Sequence, residues 1–129
     1  MVEKKKTATI VKQLKGIKHL VLGNHDKWKT SVYQEMGFKT VHTAFMLDNS
    51  EWWPDVTRPW LLVHDLVEQL CAGHLPVLCG HTHNLLSVIG SAINVGVDVH
   101  KFCPINITDI TQRYLLYQRD GRIQNNIEF

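Results

Sequence analysis

The sequence has no apolar run close to the roughly 18 residues that a membrane-spanning helix needs, and no signal peptide opens it. Its three cysteines, Cys71, Cys79 and Cys103, are odd in number and include no CxxC pair. This scarcity excludes a disulfide scaffold and a cysteine-based zinc knot, and it favours reduced thiols. The net charge of +2 is too small to indicate nucleic-acid binding. We therefore expect a cytoplasmic protein with no membrane association.

The chain is long enough for one modest hydrophobic core, with 129 residues of which 44% are hydrophobic. Apolar periodicity predicts helices at 7–14, 31–36 and 108–117. Gly16 and Gly37 are expected to stop the first two, and Thr108 or Asp109 to lie near the cap of the last. Branched apolar runs predict strands at 17–22, 39–47, 60–63, 75–79 and 91–99, with a loop at 49–59. No linker divides the chain, so we predict a single α/β domain over 1–129.

Three of the predicted strands end abruptly in polar residues that can bind a metal. The run Leu-Val-Leu leads into residues 23–26 (Gly-Asn-His-Asp), residues 60–63 lead into His64 and Asp65, and Val-Leu-Cys leads into residues 80–83 (Gly-His-Thr-His). Ligands of α/β sheets gather where strands end and loops begin. We therefore expect the three loops to converge on one site, with Gly23 allowing the chain to turn sharply.

The side chains in these loops favour a transition metal. His81 and His83 are two residues apart, and in an extended segment both would lie on one face and reach the same site or two neighbouring metals. Asn24 offers a carbonyl oxygen, and His64 offers a neutral imidazole. This mixture of nitrogen and oxygen donors suits manganese, iron, zinc or nickel better than calcium.

The remaining polar residues of the first loop have other possible roles. His25 can protonate a leaving oxygen or stabilise charge in a transition state. Asp26 can orient a nearby imidazole. The histidines elsewhere in the chain are expected to be ordinary surface or hydrogen-bonded residues; they are His19, His42, His74 and His100.

Together these motifs resemble a known family. Residues 23–26, His64 and residues 80–83, in this order, resemble the later motifs of the calcineurin-like metallophosphoesterases. Residues 93–98 (Ile-Asn-Val-Gly-Val-Asp), followed by Pro104, resemble the closing strand of its small bacterial and phage members. The resemblance covers nearly the whole chain and implies a layered α/β/β/α sandwich.

The resemblance also implies an activity, which is hydrolysis of phosphate esters at a two-metal centre, with Mn²⁺ as the first expectation. The substrate stays open among phosphomonoesters, cyclic nucleotides, dinucleotides and nucleic acid. Carried over to this sequence, the family's pattern makes Asn24, His64 and His81 ligands of one metal, His83 a ligand of the other, and His25 the residue that acts on the phosphate or its leaving group.

The sequence also departs from the family pattern. The family begins with a D-x-H motif and a G-D motif whose Asp bridges the two metals. No Asp precedes Asp26, and the one glycine before Gly23 is Gly16, which is followed by Ile17. The chain thus resembles the C-terminal two-thirds of the family fold, N-terminally incomplete. Asp48, Asp55 and Asp65 are possible substitute carboxylates, although Asp65 is expected to point away from His64 if the chain stays extended.

Three interpretations follow from this departure. In the first, the chain is an enzyme that is impaired alone, or that works as a homo-oligomer or with a complementing N-terminal chain. In the second, it is a non-catalytic module for protein–protein interaction, with Trp52, Trp53 and Trp60 as aromatic anchors; packing of these residues in a core or lid is the competing interpretation. In the third, it is an incomplete gene product.

Overall fold

The protein, seen here as a computed structural model, is a mixed α/β chain described over residues 2–48, 59–65, 76–83, 88–89 and 92–120. Its contacts separate into two compact units, Met1–Thr43 and Ala44–Phe129. The predicted loop at 49–59 lies outside the described residues, apart from Pro59. None of the helices in the described ranges is both long and apolar enough to cross a membrane.

The first unit contains two helices and two short strands. In chain order these are α1 (Val2–Gln13), β1 (His19–Val21), α2 (Thr30–Met36) and β2 (Thr40–His42), with β1 and β2 paired in parallel. The predicted stop of α2 is confirmed, because Gly37 has φ 114° and its N–H donates to the carbonyl oxygen of Gln34. Helix α1 begins earlier than predicted. Its Val11 is buried, whereas the nearby apolar residues Ile10 and Leu14 are 58% and 54% exposed.

The second unit is built on a five-stranded sheet. Its strands are β3 (Ala44–Leu47), β4 (Trp60–Val63), β5 (Val77–Cys79), β6 (Val88–Ile89) and β7 (Ala92–Asn94), in the order β3-β4-β5-β7-β6. The central strands β4, β5 and β7 run parallel, and β3 and β6 pair antiparallel at the edges. A 3₁₀ turn at Val97–Val99 and helix α3 (Ile107–Asp120) follow.

The strands predicted at 17–22 and 75–79 are observed as the shorter 19–21 and 77–79, and two other predicted strands differ more. The strand predicted at 39–47 is interrupted by a bend at Thr43, so that β2 belongs to one sheet and β3 to the other. The strand predicted at 91–99 stops at Asn94, because its chain turns into the 3₁₀ segment. Where a strand breaks or ends depends on the neighbouring strands with which it pairs. The β propensity of its own residues does not reveal those partners.

Helix α3 covers one face of the larger sheet. Its Ile110 and Tyr114, one turn apart, are buried together with Trp60, Leu78 and Ile93. The rings of Tyr114 and Trp60 meet edge to face with their centroids 5.0 Å apart. Trp60 is fully buried, so it is a core residue and not an exposed anchor for a partner. Trp52 and Trp53 lie outside the described residues.

The cap of α3 differs from the predicted one. The side-chain oxygen of Asn106 accepts a hydrogen bond from the N–H of Asp109 at 2.9 Å, which is the arrangement of an N-cap residue. Thr108 and Asp109 therefore lie inside the first turn. The alternate apolar residues of the central strands face the opposite side of the sheet from α3 and form a second buried cluster; they are Leu61, Val63, Val77, Cys79 and Ala92.

Candidate functional site

The parallel strands of the second unit bring the ends of β4 and β5 side by side. The N–H of Gly80 donates to the carbonyl oxygen of His64 at 3.1 Å, which continues the ladder past both strand ends. The N–H of Val95 donates to the carbonyl oxygen of Cys79 at 2.8 Å and joins the end of β7 to the same edge. The loops that carry His64, His81 and His83 therefore leave the sheet on the same side, at the carboxyl ends of its central strands.

At the carboxyl ends of β4 and β5, the side chains of His64 and His81 are in contact. The Nε2 atom of His64 lies 3.0 Å from Nδ1 of His81, and the two rings stand edge to face with centroids 4.9 Å apart. One of these nitrogens carries a proton and donates a hydrogen bond to the other. The structure therefore brings these two predicted residues into contact.

Asp65 lies on the far side of the same pair. Its Oδ2 atom is 3.7 Å from Nε2 of His81. We expected Asp65 to point away from His64 on the assumption of an extended chain, but residues 64–65 form a bend after β4. The bend turns the carboxylate toward His81, so Asp65 is a carboxylate near the paired imidazoles. Asp48 is exposed after β3, and Asp55 lies outside the described residues.

The backbone of the loop at residues 80–83 is strained. The N–H of Thr82 donates to the carbonyl oxygen of Gly80 at 2.7 Å, and the residue between them, His81, has φ 64°. A three-residue turn with positive φ is rare and unfavourable for a residue with a side chain. His83 also has positive φ, 48°. Such residues cost about 1–3 kcal/mol each and persist where the surrounding structure holds them.

This conformation corrects the argument that placed His81 and His83 together. Two residues share a face only in an extended segment, and both histidines here have left-handed backbone angles. His83 instead pairs with Asp98, whose Oδ2 lies 3.0 Å from its Nδ1. The side chain of His83 is 81% exposed in this contact.

Buried Asn94, at the end of β7, holds this part of the second unit together. Its Nδ2 donates to the hydroxyl oxygen of Thr82 at 3.1 Å and to the carbonyl oxygen of His83 at 2.8 Å. Its Oδ1 accepts the N–H of Gly96 at 2.8 Å, and its own carbonyl oxygen lies 2.7 Å from Nε2 of His100. Sequence reasoning named Asn94 and Asp98 within the resembling segment 93–98 but gave neither residue a role. The available signal was a polar residue ending an apolar strand, the same rule that identified His64.

The thiol beside this site is not reactive. Cys79 is buried, and its Sγ donates to the carbonyl oxygen of Ile93 at 3.6 Å. Burial, together with the negative charge of Asp65, raises the pKa of Cys79 to about 12. The protonated thiol is neither a nucleophile nor a metal ligand near neutral pH. The expectation of free thiols holds for Cys79 and Cys103, and Cys71 lies outside the described residues.

In the first unit, residues 23–26 form a tight turn directly after β1. The N–H of Asp26 donates to the carbonyl oxygen of Gly23 at 3.1 Å, which puts Asn24 and His25 at the exposed apex. The N–H of Gly23 in turn donates to Oδ2 of Asp26 at 2.7 Å. The positive-φ glycines of the described chain are Gly16 and Gly37, so the carboxylate of Asp26, rather than a left-handed Gly23, closes the turn.

The bonds of Asp26 differ from its predicted role. We expected it to orient an imidazole, but its Oδ1 lies 3.4 Å from the hydroxyl of Tyr33, which donates to it. Burial and the nearby charge of Asp26 raise the pKa of Tyr33, so the hydroxyl keeps its proton. Trp28 packs against the same ring with centroids 5.5 Å apart. Helix α2 thus anchors the turn that presents Asn24 and His25.

The paired imidazoles fit a divalent transition metal by their donor set. Imidazole nitrogens are common ligands of such ions, and Nε2 of His64 lies 3.0 Å from Nδ1 of His81. Both nitrogens would have to be unprotonated to bind one ion. In the described part of the chain, no group of three or more His, Cys, Asp or Glu side chains is gathered closely enough to hold a metal alone. A metal at this pair would need further ligands.

Comparisons of the chain with protein-family models, with curated proteins and with solved structures gave no match.

Proposed function

We propose that this chain is a metal-dependent phosphoesterase of the cytoplasm, which hydrolyses phosphate monoesters or diesters at a two-metal centre. The observation that carries the proposal is the contact between Nε2 of His64 and Nδ1 of His81, at the carboxyl ends of neighbouring parallel strands. The strained turn around His81 is a second support, since strain of this kind concentrates at functional sites. The resemblance of the motifs to calcineurin-like metallophosphoesterases supplies the reaction.

Each residue has a role in this proposal. His64 and His81 would hold one metal ion, with Asn24 as a third ligand by the family resemblance, and His83 would bind the other. Bound Mn²⁺ ions would supply Lewis-acid stabilisation of the phosphate's negative charge. His25, at the exposed apex of its turn, would give a proton to the leaving oxygen. Asp26 would hold that turn in shape through Gly23 and Tyr33.

The proposal includes a partner that supplies carboxylates, either a second copy of the chain or a complementing N-terminal chain. The family's layered α/β/β/α sandwich would be completed by that partner. Two features of the first unit favour this. Within the described residues its sheet has two parallel strands of three residues each, which is marginal without further pairing. Ile10, Leu14 and Ile17 also expose apolar surface, at 58%, 54% and 70%.

The test is the binding of Mn²⁺ to the purified chain, measured by calorimetry and by metal analysis after dialysis. We expect at most about one weakly held ion per chain, because the ligands proposed for it, Asn24, His64 and His81, are all neutral. His81→Ala should weaken binding at least about tenfold, since removal of even a residue that supports a ligand costs about 10–100-fold.

The matched control is His19→Ala, which removes an exposed histidine of β1 that pairs with Thr40. It should bind Mn²⁺ like the parent chain. Equal binding by the parent and the His81→Ala variant would contradict the proposed site. So would two tightly held ions per chain, which would require carboxylates that the proposal assigns to a partner.

A further inference from the structure

The contact between His83 and Asp98 determines which nitrogen of the imidazole carries the proton. The Oδ2 atom of Asp98 lies 3.0 Å from Nδ1 of His83. An ionised carboxylate can only accept hydrogen bonds, so Nδ1 must carry the proton that is donated to it. In the neutral ring the remaining nitrogen, Nε2, then has a free lone pair. That nitrogen belongs to a side chain that is 81% exposed.

The two loops that carry His83 and Asp98 both form hydrogen bonds with one buried side chain, that of Asn94. Asn94 is 3% exposed, and its Nδ2 donates to the carbonyl oxygen of His83 at 2.8 Å. Its Oδ1 accepts the N–H of Gly96 at 2.8 Å, directly before the 3₁₀ turn that contains Asp98. A Cβ atom on Gly96 would lie 3.0 Å from that oxygen, so glycine is the residue that leaves the bond undisturbed. The distance between His83 and Asp98 is therefore set by hydrogen bonds to one buried side chain.

We infer that Asp98 is a positioning residue for His83: it fixes the neutral imidazole as the Nδ1–H tautomer and leaves Nε2 available to a divalent metal ion. Carboxylates commonly hold metal-binding histidines in this way, by accepting the proton of the ring nitrogen that does not bind the metal. The use of Nε2 for a metal rests on the proposed function. The tautomer itself does not, because it follows from the Asp98 contact alone.

The experiment is ¹⁵N NMR of the histidine side chains in the full, metal-free chain. Spectra are recorded at about pH 8.5, about two units above the pKa of about 6.5 of a histidine in a model peptide. We expect His83 of the parent chain to be in the Nδ1–H form. In Asp98→Ala it should revert to the mainly Nε2–H mixture of a free imidazole. Asp98→Asn keeps an acceptor oxygen and should restore the Nδ1–H form at least in part, which a merely structural loss would not do.

His83→Ala assigns the resonance, and Asp109→Asn, an exposed carboxylate on α3, is the matched control that should leave His83 unchanged. An Nε2–H form of His83 in the parent chain, or an identical spectrum in Asp98→Ala, would overturn the inference. Mn²⁺ added below one equivalent tests the proposed function separately. If it broadens no signal of His64 or His81, the proposed function fails while the tautomer result stands.

Discussion

Cys79 ends β5 directly before the loop that carries His81, and its side chain faces the buried cluster on the side of the sheet opposite α3. Its thiol is held by a hydrogen bond to the carbonyl oxygen of Ile93. The environment that packs this residue also keeps it protonated, because burial disfavours a thiolate and Asp65 repels it. The proposed chemistry at the carboxyl ends of these strands is therefore assigned to the imidazoles and not to this thiol.

This environment predicts a difference in reactivity between two cysteines of one chain. In the folded protein, iodoacetamide should alkylate exposed Cys103, whereas Cys79 should stay unmodified up to a pH near its raised pKa of about 12. Peptide mass spectrometry reads each cysteine separately. In urea both should react alike. Equal alkylation of Cys79 and Cys103 in the folded chain at pH about 8 would contradict the burial of the thiol.

The same shift has a consequence for stability. The folded state binds the Cys79 proton more tightly than the unfolded state, whose thiol has the ordinary value of 9.0. The stabilisation from this group is therefore fully present below about pH 9 and is lost as the pH rises toward about 12. In the Cys79→Ala variant, the free energy of unfolding should not show this part of the decline between about pH 9 and about pH 12.

At the residue scale, sequence reasoning worked where strand order alone decides. His64 and His81 each follow an apolar run, and parallel neighbours bring such residues together. It did not identify the partner of His83, because that depends on the positive φ of the loop and on the buried amide of Asn94. Neither is visible in the local pattern. The role of Asp26 was missed for a similar reason, since it depends on where α2 places Tyr33.

Helix α3 shows how an element of secondary structure depends on residues beside it. Its buried face consists of Ile110 and Tyr114, which pack on Trp60 of β4. The periodicity of these apolar residues predicted the helix, but its start was predicted one residue late. The cap is Asn106, which precedes the periodic segment and so carries no hydrophobic signal. Strands split or end early where pairing changes, as at Thr43, which no local preference reveals.

The cap gives a prediction for this element. Asn106→Ala should lower the free energy of unfolding by about 1 kcal/mol, within the range of about 0.5–2 kcal/mol for a lost N-cap, because the N–H of Asp109 then loses its acceptor. Asn106→Asp, which keeps an acceptor oxygen, is the matched control and should change stability little. Urea denaturation of the three chains measures the difference. If Asn106→Ala unfolds at the parent's urea midpoint, the cap has no energetic role.

At the scale of the whole molecule, the proposed function raises the question of what would balance the charge of two divalent ions. The donors proposed for the site are imidazoles and one amide, which are neutral, and the carboxylate of Asp65 lies 3.7 Å from Nε2 of His81. In the resembling family a G-D motif supplies a bridging carboxylate, and none precedes Gly23 in this sequence. The prediction for catalysis follows from this deficit.

We expect the chain alone to hydrolyse bis(4-nitrophenyl) phosphate with Mn²⁺ at least about 100-fold more slowly than the same chain joined to a D-x-H and G-D segment. Loss of a single electrostatic stabiliser of a transition state already costs about 10²–10³ in kcat, and the donors proposed for this chain include neither a bridging carboxylate nor another negative charge. His25 cannot compensate, since a general acid contributes about 10²–10⁴-fold and still needs a phosphate held in place.

His81→Ala and His25→Ala in the joined chain should each reduce its rate, and His19→Ala should not. If the isolated chain turns over as fast as the joined one and His81→Ala abolishes that activity, the carboxylates are already present. They would then come from residues of this chain or from a second copy of it, and sedimentation of the active species would distinguish the two.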